Sequence, residues 1–346
     1  MSDFEVDKIV FMGDPHFHEW QQFSHTLPSG INSRLQLSVD AMIQAAELAG
    51  SEGMLVVMGD MFHDRSALTH DVISSAIKAV DAASCLTTLV MLNGNHDQSM
   101  RDGSQHSLEM FRYFPNVTTV DIDMVISAEV RDKQLKLCCR SFTEDMEEVR
   151  KFAERSAKIK GPKIMCLHQG VRDAVMDGGK IDQKSLTIKQ LQHEAFDAII
   201  CGHYHTPQQI QNLYFVGSPY QSNRGEAGQE KRFLVYDGEM RSEPVTDMPE
   251  FRTIRYSSFK NVEECKEFMA TTQHFTDLVV EADRSNEVKK ADLPNNVTII
   301  AENEEPIMDV PASEITSLDL AEAARQYMTV IGRPDLADKS ADRLPL

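Results

Sequence analysis

The sequence predicts an α/β fold with a largely parallel sheet core, and three observations carry that expectation. Short apolar runs rich in Val, Ile, Leu and Met recur between residues 9 and 201, continuous rather than alternating, which suits strands buried on both faces. Stretches with apolar residues at helical spacing lie between the early runs. Each run stops at a cluster of Gly, Asp, Asn or His, where parallel α/β sheets gather their sites beyond the carboxyl ends of the strands.

The elements follow in order. Ile9-Val10-Phe11-Met12 precedes Gly13-Asp14-Pro15-His16. Residues 33–49 place Leu35, Val39, Ile43 and Ala46 on one helical face and stop at Gly50, a good C-terminal signal. Met54-Leu55-Val56-Val57-Met58 precedes Gly59-Asp60. Thr69 can cap a helix carrying Val72, Ile73, Ile77 and Val80. Leu89-Val90-Met91-Leu92 leads to Gly94-Asn95-His96-Asp97, Ile164-Met165-Cys166-Leu167 to His168-Gln169, and Ala198-Ile199-Ile200-Cys201 to Gly202-His203-Tyr204-His205. Two further strands, residues 214–216 and 232–236, the second ending in Asp237-Gly238, are expected to close the main domain. Residues 243–249, polar and with two prolines, read as a linker. Beyond it, strand-like residues 253–256, 278–280 and 297–300 and a helical stretch at 261–269 suggest a small α+β appendage. An amphipathic helix through Ile315, Leu318, Leu320, Ala324 and Tyr327 is expected in the tail. The domain reading is therefore 1–242, 251–311 and 312–346.

The five motifs have the composition of one dinuclear metal site. A carboxylate can bridge two divalent ions while imidazoles and an amide oxygen fill the other positions, and ions about 4 Å apart clamp a phosphoryl group and activate water. No cysteine belongs to the set, which argues against a structural zinc knot and for Mn²⁺, Fe²⁺ or Zn²⁺ on N and O ligands, with Mn²⁺ suited to the oxygen-rich side and Mg²⁺ also compatible. Singly, each motif has a plain alternative: Gly-Asp-x-His is a common turn, and Gly-Asp alone carries almost no information. Five in this order, each behind a strand, do not reduce to turns.

Composition bounds the rest. The 346 residues are 41% hydrophobic and 26% charged, ordinary for a globular protein, and exceed what one core usually supports. There is no apolar run near the 18 residues needed to span a bilayer, and the acidic start Met1-Ser2-Asp3-Phe4-Glu5 does not fit a signal peptide, so a cytoplasmic location is expected. The six cysteines, Cys85, Cys138, Cys139, Cys166, Cys201 and Cys265, show no framework spacing and read as reduced thiols. With 35 basic against 54 acidic residues the net charge is −19, the wrong sign for gripping nucleic acid by bulk electrostatics. A polyanion would be met locally, with Arg34, Arg65, Arg101, Arg172, Lys180, Lys184 and Arg224 as nearby cations whose plain alternative is a solvated surface. Trp20 and Phe23 could stack on an unpaired base, or pack their loop against the domain.

Over roughly residues 8–240 the five motifs resemble the calcineurin-like metallophosphoesterase superfamily. More narrowly, the chain resembles the SbcD-type nuclease subunits of DNA double-strand-break repair and their bacteriophage recombination counterparts. Asp60 runs into Met61-Phe62-His63-Asp64-Arg65, His168 sits in Leu-His-Gln, and Gly217-Ser218-Pro219-Tyr220 is followed by Gly225-Glu226, as in that branch. The resemblance implies an αββα sandwich with a small C-terminal α+β capping domain and a helical tail. It implies one ion on Asp14, His16, Asp60 and His205 and a second on Asp60, Asn95, His168 and His203. His96 would stand beside the scissile phosphate as general acid or hydrogen-bond donor, Asp97 would hold its imidazole, and His63 would lie near the phosphate, or else simply pack the loop. The implied reaction is in-line attack of an activated water on DNA, as a 3′→5′ exonuclease and a single-strand endonuclease, with a coiled-coil ABC-type ATPase as partner and a homodimer within a heterotetramer. The chain has no P-loop of its own. A small-molecule or protein phosphoesterase of the same fold is the alternative that the metal ligands alone leave open. A scaffold without catalysis is disfavoured, because His96 and every implied ligand are present.

Overall fold

The computed structural model describes residues 4–99, 105–176, 178–281, 284, 287–288 and 292–302. β1 (Phe4–Val6), β2 (Lys8–Met12), α1 (Ser33–Ala49), β3 (Gly53–Val57), α2 (His70–Leu86), β4 (Thr88–Leu92) and β5 (Val117–Val120) come first. β6 (Asp123–Val130), β7 (Lys133–Arg140), α3 (Met146–Ala157), β8 (Lys163–His168), β9 (Ala198–Gly202), β10 (Gln208–Ile210) and β11 (Leu213–Phe215) follow. β12 (Arg232–Tyr236), β13 (Met240–Pro244), β14 (Phe251–Arg255), α4 (Val262–Thr271), β15 (Phe275–Glu281) and β16 (Val297–Glu302) complete the order.

The main body has two sheets, as the αββα resemblance implied. A six-stranded sheet runs β13-β12-β2-β3-β4-β5 and a seven-stranded sheet β1-β6-β7-β8-β9-β11-β10. The apolar runs explain why both faces are buried. On β2, Val10 and Met12 face α1 and α2, while Ile9 and Phe11 face the second sheet; β3 repeats the split with Leu55 and Val57 against Met54 and Val56. Cys138, Met165, Leu167, Ile199 and Cys201 turn the outer face of the seven-stranded sheet toward α3. Helix, sheet, sheet, helix is the resulting layering, an αββα sandwich.

Of the helices expected from spacing, α1 and α2 form where their caps place them and the stretch at 261–269 forms α4, whereas α3 has no counterpart in the sequence-based expectations. The Asn32 side chain accepts from the Arg34 and Leu35 amides at the start of α1, and Thr69 accepts from the Val72 amide at the start of α2. β12 pairs antiparallel with β2, closing the first sheet. The expected linker is shorter than its composition suggests: Glu243 and Pro244 finish β13, pairing with Phe233 and Arg232, and Pro244 tolerates this because it ends an edge strand. β14, β15 and β16 form a separate parallel sheet around Tyr256, Cys265, Met269, Leu278 and Val297. The tail helix expected beyond residue 312 lies outside the described residues. No helix among the described residues is long and apolar enough to cross a membrane.

Candidate metal centre

The parallel strands β2, β3, β4, β8 and β9 all deliver a motif at their carboxyl ends, so residues far apart in sequence meet between the two sheets. The backbone there is unusual. His16, Asp60 and His203 have φ of 44°, 51° and 85°, a region non-glycine residues rarely enter and which clusters at functional sites. The neighbouring glycines provide room. A Cβ on Gly59, itself at φ 107°, would lie 2.2 Å from His168 Nδ1, and one on Gly94 would lie 2.2 Å from Asp60 Oδ1.

Two donor groups share the Asp60 carboxylate. His16 Nε2 lies 2.9 Å from His205 Nε2 and 3.8 Å from Asp60 Oδ2, with Asp14 completing this group. On the other side, His168 Nε2 lies 3.4 Å from Asp60 Oδ2 and 3.1 Å from Asn95 Oδ1, and Asn95 Oδ1 is 2.8 Å from His203 Nδ1. The remaining atoms are pinned by the backbone. His203 N–H donates to Asp14 Oδ1 (2.9 Å), His96 N–H to Asp60 Oδ1 (2.7 Å), and His168 Nδ1 donates to the Met58 carbonyl at 2.7 Å, which leaves His168 Nε2 as a lone-pair donor.

The residues fit divalent cations. Asp14 Oδ2 is buried with no hydrogen-bond partner among the described residues, and imidazole nitrogens facing each other at hydrogen-bond distance suit a shared electrophile. Burial and the neighbouring His205 ring hold His16 well below the ordinary histidine value, and burial with the charge of His168 takes His203 down to about 3, so both rings are neutral, as a metal would require of them. Burial, reinforced by Asp60, lifts Asp14 to about 6. Burial opposes charge on His168, but the carboxylates of Asp60 and Asp14 raise it to about 9; burial likewise opposes charge on Asp60, yet His168 holds that carboxyl well below its usual range. An excess of acid and imidazole around one point is the field a cation would relieve.

The site opens into a cleft of about 390 Å³ lined by His16, His63, His96, His203 and His205 together with Trp20 and Met176. His63 and His96 lie with their rings near parallel, centroids 5.4 Å apart, and His96 sits 5.0 Å from the His16 ring. Burial and the neighbouring His18 lower His63 to about 4.

Asp97 requires a correction. Expected to hold the His96 imidazole, its carboxylate instead accepts from the backbone amides of Met61 (3.2 Å), Phe62 (3.1 Å) and Gly94 (2.9 Å). The His96 Nδ1 bonds to the His63 carbonyl. A tight Gly-Asn-His-Asp turn aims residue 97 back at the strand ends, so Asp97 staples the Asp60 loop to the Asn95 loop. Burial pushes its carboxyl up to about 7.

Two of the expected cations are engaged elsewhere. Arg34, 3% exposed, donates to the carbonyls of Ser222 (2.6 Å) and Gln22 (3.3 Å) and packs over Trp20 and Phe275. Arg224 forms a two-pronged pair with Asp277 at 2.5 and 2.9 Å. Arg65, Lys180 and Lys184 are exposed, Arg172 is half-buried, and Arg101 lies outside the described residues. Phe23 is buried against Phe251 and Phe275, whereas Trp20 reaches the cleft beside His63 at 4.7 Å.

Glu226 is the contributor that motif reading left without a role. Its buried carboxylate takes the His205 Nδ1 proton at 3.1 Å, the Ser222 hydroxyl at 2.6 Å, the Asn223 amide at 2.7 Å, the Ser218 hydroxyl at 3.0 Å and the Lys231 ammonium at 2.7 Å. Burial opposes its charge, but His205 and Lys231 hold the carboxyl well below the ordinary range. The Gly225-Glu226 pair was the available signal.

The profile of calcineurin-like phosphoesterases matches residues 7–207. The chain is 21% identical over 330 residues, 89% of its own length and 90% of the relative, to exonuclease subunit 1 of Enterobacteria phage T4. It is 24% identical over 267 residues to the putative phosphoesterase 244L of invertebrate iridescent virus 6, covering 71% of this chain and 84% of that one. Among solved structures, a putative 5′-nucleotidase from Staphylococcus aureus matches with a TM-score of 0.44 at 15% identity over 69% of this chain, which spans 54% of that chain's length. The GAP50 protein of Plasmodium matches with a TM-score of 0.43 at 11% identity, covering 88% of this chain and 98% of that one.

Proposed function

We propose, since this chain belongs to the calcineurin-like phosphoesterase family, that it is a metal-dependent DNA phosphodiesterase of recombination and repair. It would cut duplex ends as a 3′→5′ exonuclease and single strands as an endonuclease. The observation that carries the reading is the meeting of the Asp14–His16–His205 and Asp60–His168–His203 groups at the floor of a cleft walled by His63 and His96, with Asp60 Oδ2 3.8 Å from His16 and 3.4 Å from His168. Similarity across 90% of a phage exonuclease subunit favours DNA over a small ester, and that relative's being a subunit supports a second chain, here a coiled-coil ABC-type ATPase, with a homodimer inside a heterotetramer. The proposed compartment is the cytoplasm, the host's if the chain is phage-encoded.

In this reading Asp14, His16, Asp60 and His205 would hold one ion and Asp60, Asn95, His168 and His203 the other, with Mn²⁺ the first metal to test and Mg²⁺, Fe²⁺ and Zn²⁺ as alternatives. When bound, the two ions supply Lewis-acid polarisation of the phosphoryl group and lower the pKa of the attacking water. The protein's own contribution is orientation and proton delivery. The His63 carbonyl accepts from His96 Nδ1 and holds that ring at the cleft wall; in its imidazolium form the ring would donate its other proton, from Nε2, to the phosphate or the departing oxygen. The His63 ring beside it is neutral at working pH and offers one hydrogen bond without a competing charge. Asp97 and the backbone amide of His96 keep Asp60 and Asn95 in register.

The test is digestion of end-labelled linear duplex DNA with Mn²⁺, beside bis-p-nitrophenyl phosphate, by the purified chain and its His96→Ala variant. Stepwise shortening is expected, and loss of general-acid function at His96 should lower turnover by roughly 10²- to 10⁴-fold while Mn²⁺ still binds. Hydrolysis of the small ester with DNA left intact, even with an ATPase partner added, would shift the reading to a small-molecule or protein phosphoesterase. Removing residues 313–346 and repeating ATPase pull-down tests the tail, and unchanged capture would refute it as the docking segment.

A further inference from the structure

An apolar thioether, that of Met176, stands in the cleft beside the ring of histidines. Residues 174–176 and 180–182 run antiparallel, with the Met176 amide donating to the Lys180 carbonyl at 2.7 Å and the Asp182 amide to the Ala174 carbonyl at 2.9 Å. Two anchors fasten this hairpin to the segment that follows β9. The Gln208 side chain accepts from the Val175 amide at 2.7 Å and donates to the Val175 carbonyl at 2.8 Å, holding both backbone groups of one residue. The Tyr204 hydroxyl donates to the buried Asp182 carboxylate at 2.6 Å, and Asp182 also accepts from the Lys184 and Ser185 amides. Tyr204 itself lies between His203 and His205, with its ring 4.9 Å from the His203 ring and stacked on Phe215. The hairpin is therefore held to the same segment that carries two of the proposed ligands.

Its exposed groups are the wrong kind for a solvated loop. Met176 lines the cleft and is 37% exposed, Ile181 is 47% exposed, and the exposed Lys180 lies between them in sequence. Any substrate reaching His96 shares a cleft with Met176. An apolar thioether gains nothing against a phosphate and is satisfied by the face of a base or sugar. Apolar wedges between stacked bases are a recurring way for proteins to open a duplex, with a cation nearby for the backbone.

Resting on the nuclease reading above, we infer that the hairpin carries a strand-separating wedge: Met176, which lines the cleft, meets the terminal base pair of a duplex end and frees one strand for the metal centre, while Ile181, paired with Val175, lies on the other face. Trp20, reaching the cleft from the loop after β2 rather than from the hairpin, offers the freed nucleotide a stacking face.

The experiment compares Mn²⁺-dependent digestion of a blunt duplex and of the same labelled strand alone, using the full chain, Met176→Ser and Met176→Leu, with bis-p-nitrophenyl phosphate as a third substrate. Met176→Ser should lower the duplex rate about tenfold more than the single-strand rate, since unstacking a terminal step has lost its apolar driving contact. Met176→Leu should keep the parent ratio. Equal losses on duplex and single strand would overturn the wedge and leave the nuclease standing. Turnover of the small ester by the parent chain with neither DNA cut would overturn both.

Discussion

Glu226 and Lys231 form a buried pair at 2.7 Å, 2% and 8% exposed, and both hold His205: the carboxylate takes its Nδ1 proton and the ammonium donates to its carbonyl at 2.9 Å. Glu226→Gln removes the charge and turns an amide NH₂ toward groups that are themselves donors. Breaking one side of such a buried pair costs about 3–5 kcal/mol, because the remaining charge has no counter-charge. Lys231→Met should cost less, since Glu226 still receives the Ser218 and Ser222 hydroxyls and the Asn223 amide. The double variant should recover roughly 2 kcal/mol of the summed losses, as expected of residues in one network. Urea denaturation of the four chains measures this. In parallel, Mn²⁺ titration should show affinity lowered by roughly 10- to 100-fold in Glu226→Gln, the usual effect of losing the partner that orients a ligating imidazole. Strictly additive stabilities, or unchanged Mn²⁺ affinity, would refute the view that Glu226 orients His205.

Three further perturbations have defined outcomes. Gly94→Ala puts a Cβ 2.2 Å from both the Asp60 amide and its carboxylate; a loss of about 1–3 kcal/mol together with failure to bind Mn²⁺ is expected, and calorimetric titration showing normal binding would contradict it. Arg34→Met keeps the apolar stem but removes two charged donors to carbonyls and the contacts over Trp20 and Phe275. A loss of about 3 kcal/mol is expected, read by urea denaturation followed through Trp20, the only tryptophan. Asp182 supplies the pH dependence. Burial opposes its charge, but hydrogen bonds from Ser185, Tyr204 and Lys184 bring it from 3.8 to about 2. Its folded value lies below its unfolded one, so its stabilisation is complete above about pH 4 and lost as pH falls toward 2. Asp182→Asn should flatten that acid limb, and identical acid denaturation curves for variant and parent would show the contact to be inconsequential.

Much of the candidate site was legible in the sequence for a local reason. Each candidate ligand ends its strand or follows it within a few residues, so an apolar run and the polar cluster after it mark both the element and the candidate site. The caps at Asn32 and Thr69 were local too, Thr69 being named beforehand. Other features depended on what lies opposite in space. A continuous apolar strand looks the same whether its second face meets helices or another sheet, so β2 and β3 could not announce that Ile9, Phe11, Met54 and Val56 face a second sheet. Nothing local announces the β6–β7 hairpin that builds that sheet, since its turn at Arg131 and Asp132 uses positive φ without glycine.

What the sequence by itself determined is the set of candidate ligands, the strand-then-site order, the bounds of α1 and the start of α2, because these rest on interactions among neighbours along the chain. Only the tertiary structure decided which partner each polar group meets. Asp97 turned from the imidazole to three backbone amides, Arg34 and Arg224 from DNA-facing cations to joints under the third sheet, and Glu226 from a motif marker to the carboxylate behind His205. A buried charged or polar group must find its partner wherever the packed chain places one, and that position is set by the meeting of distant strands, not by spacing.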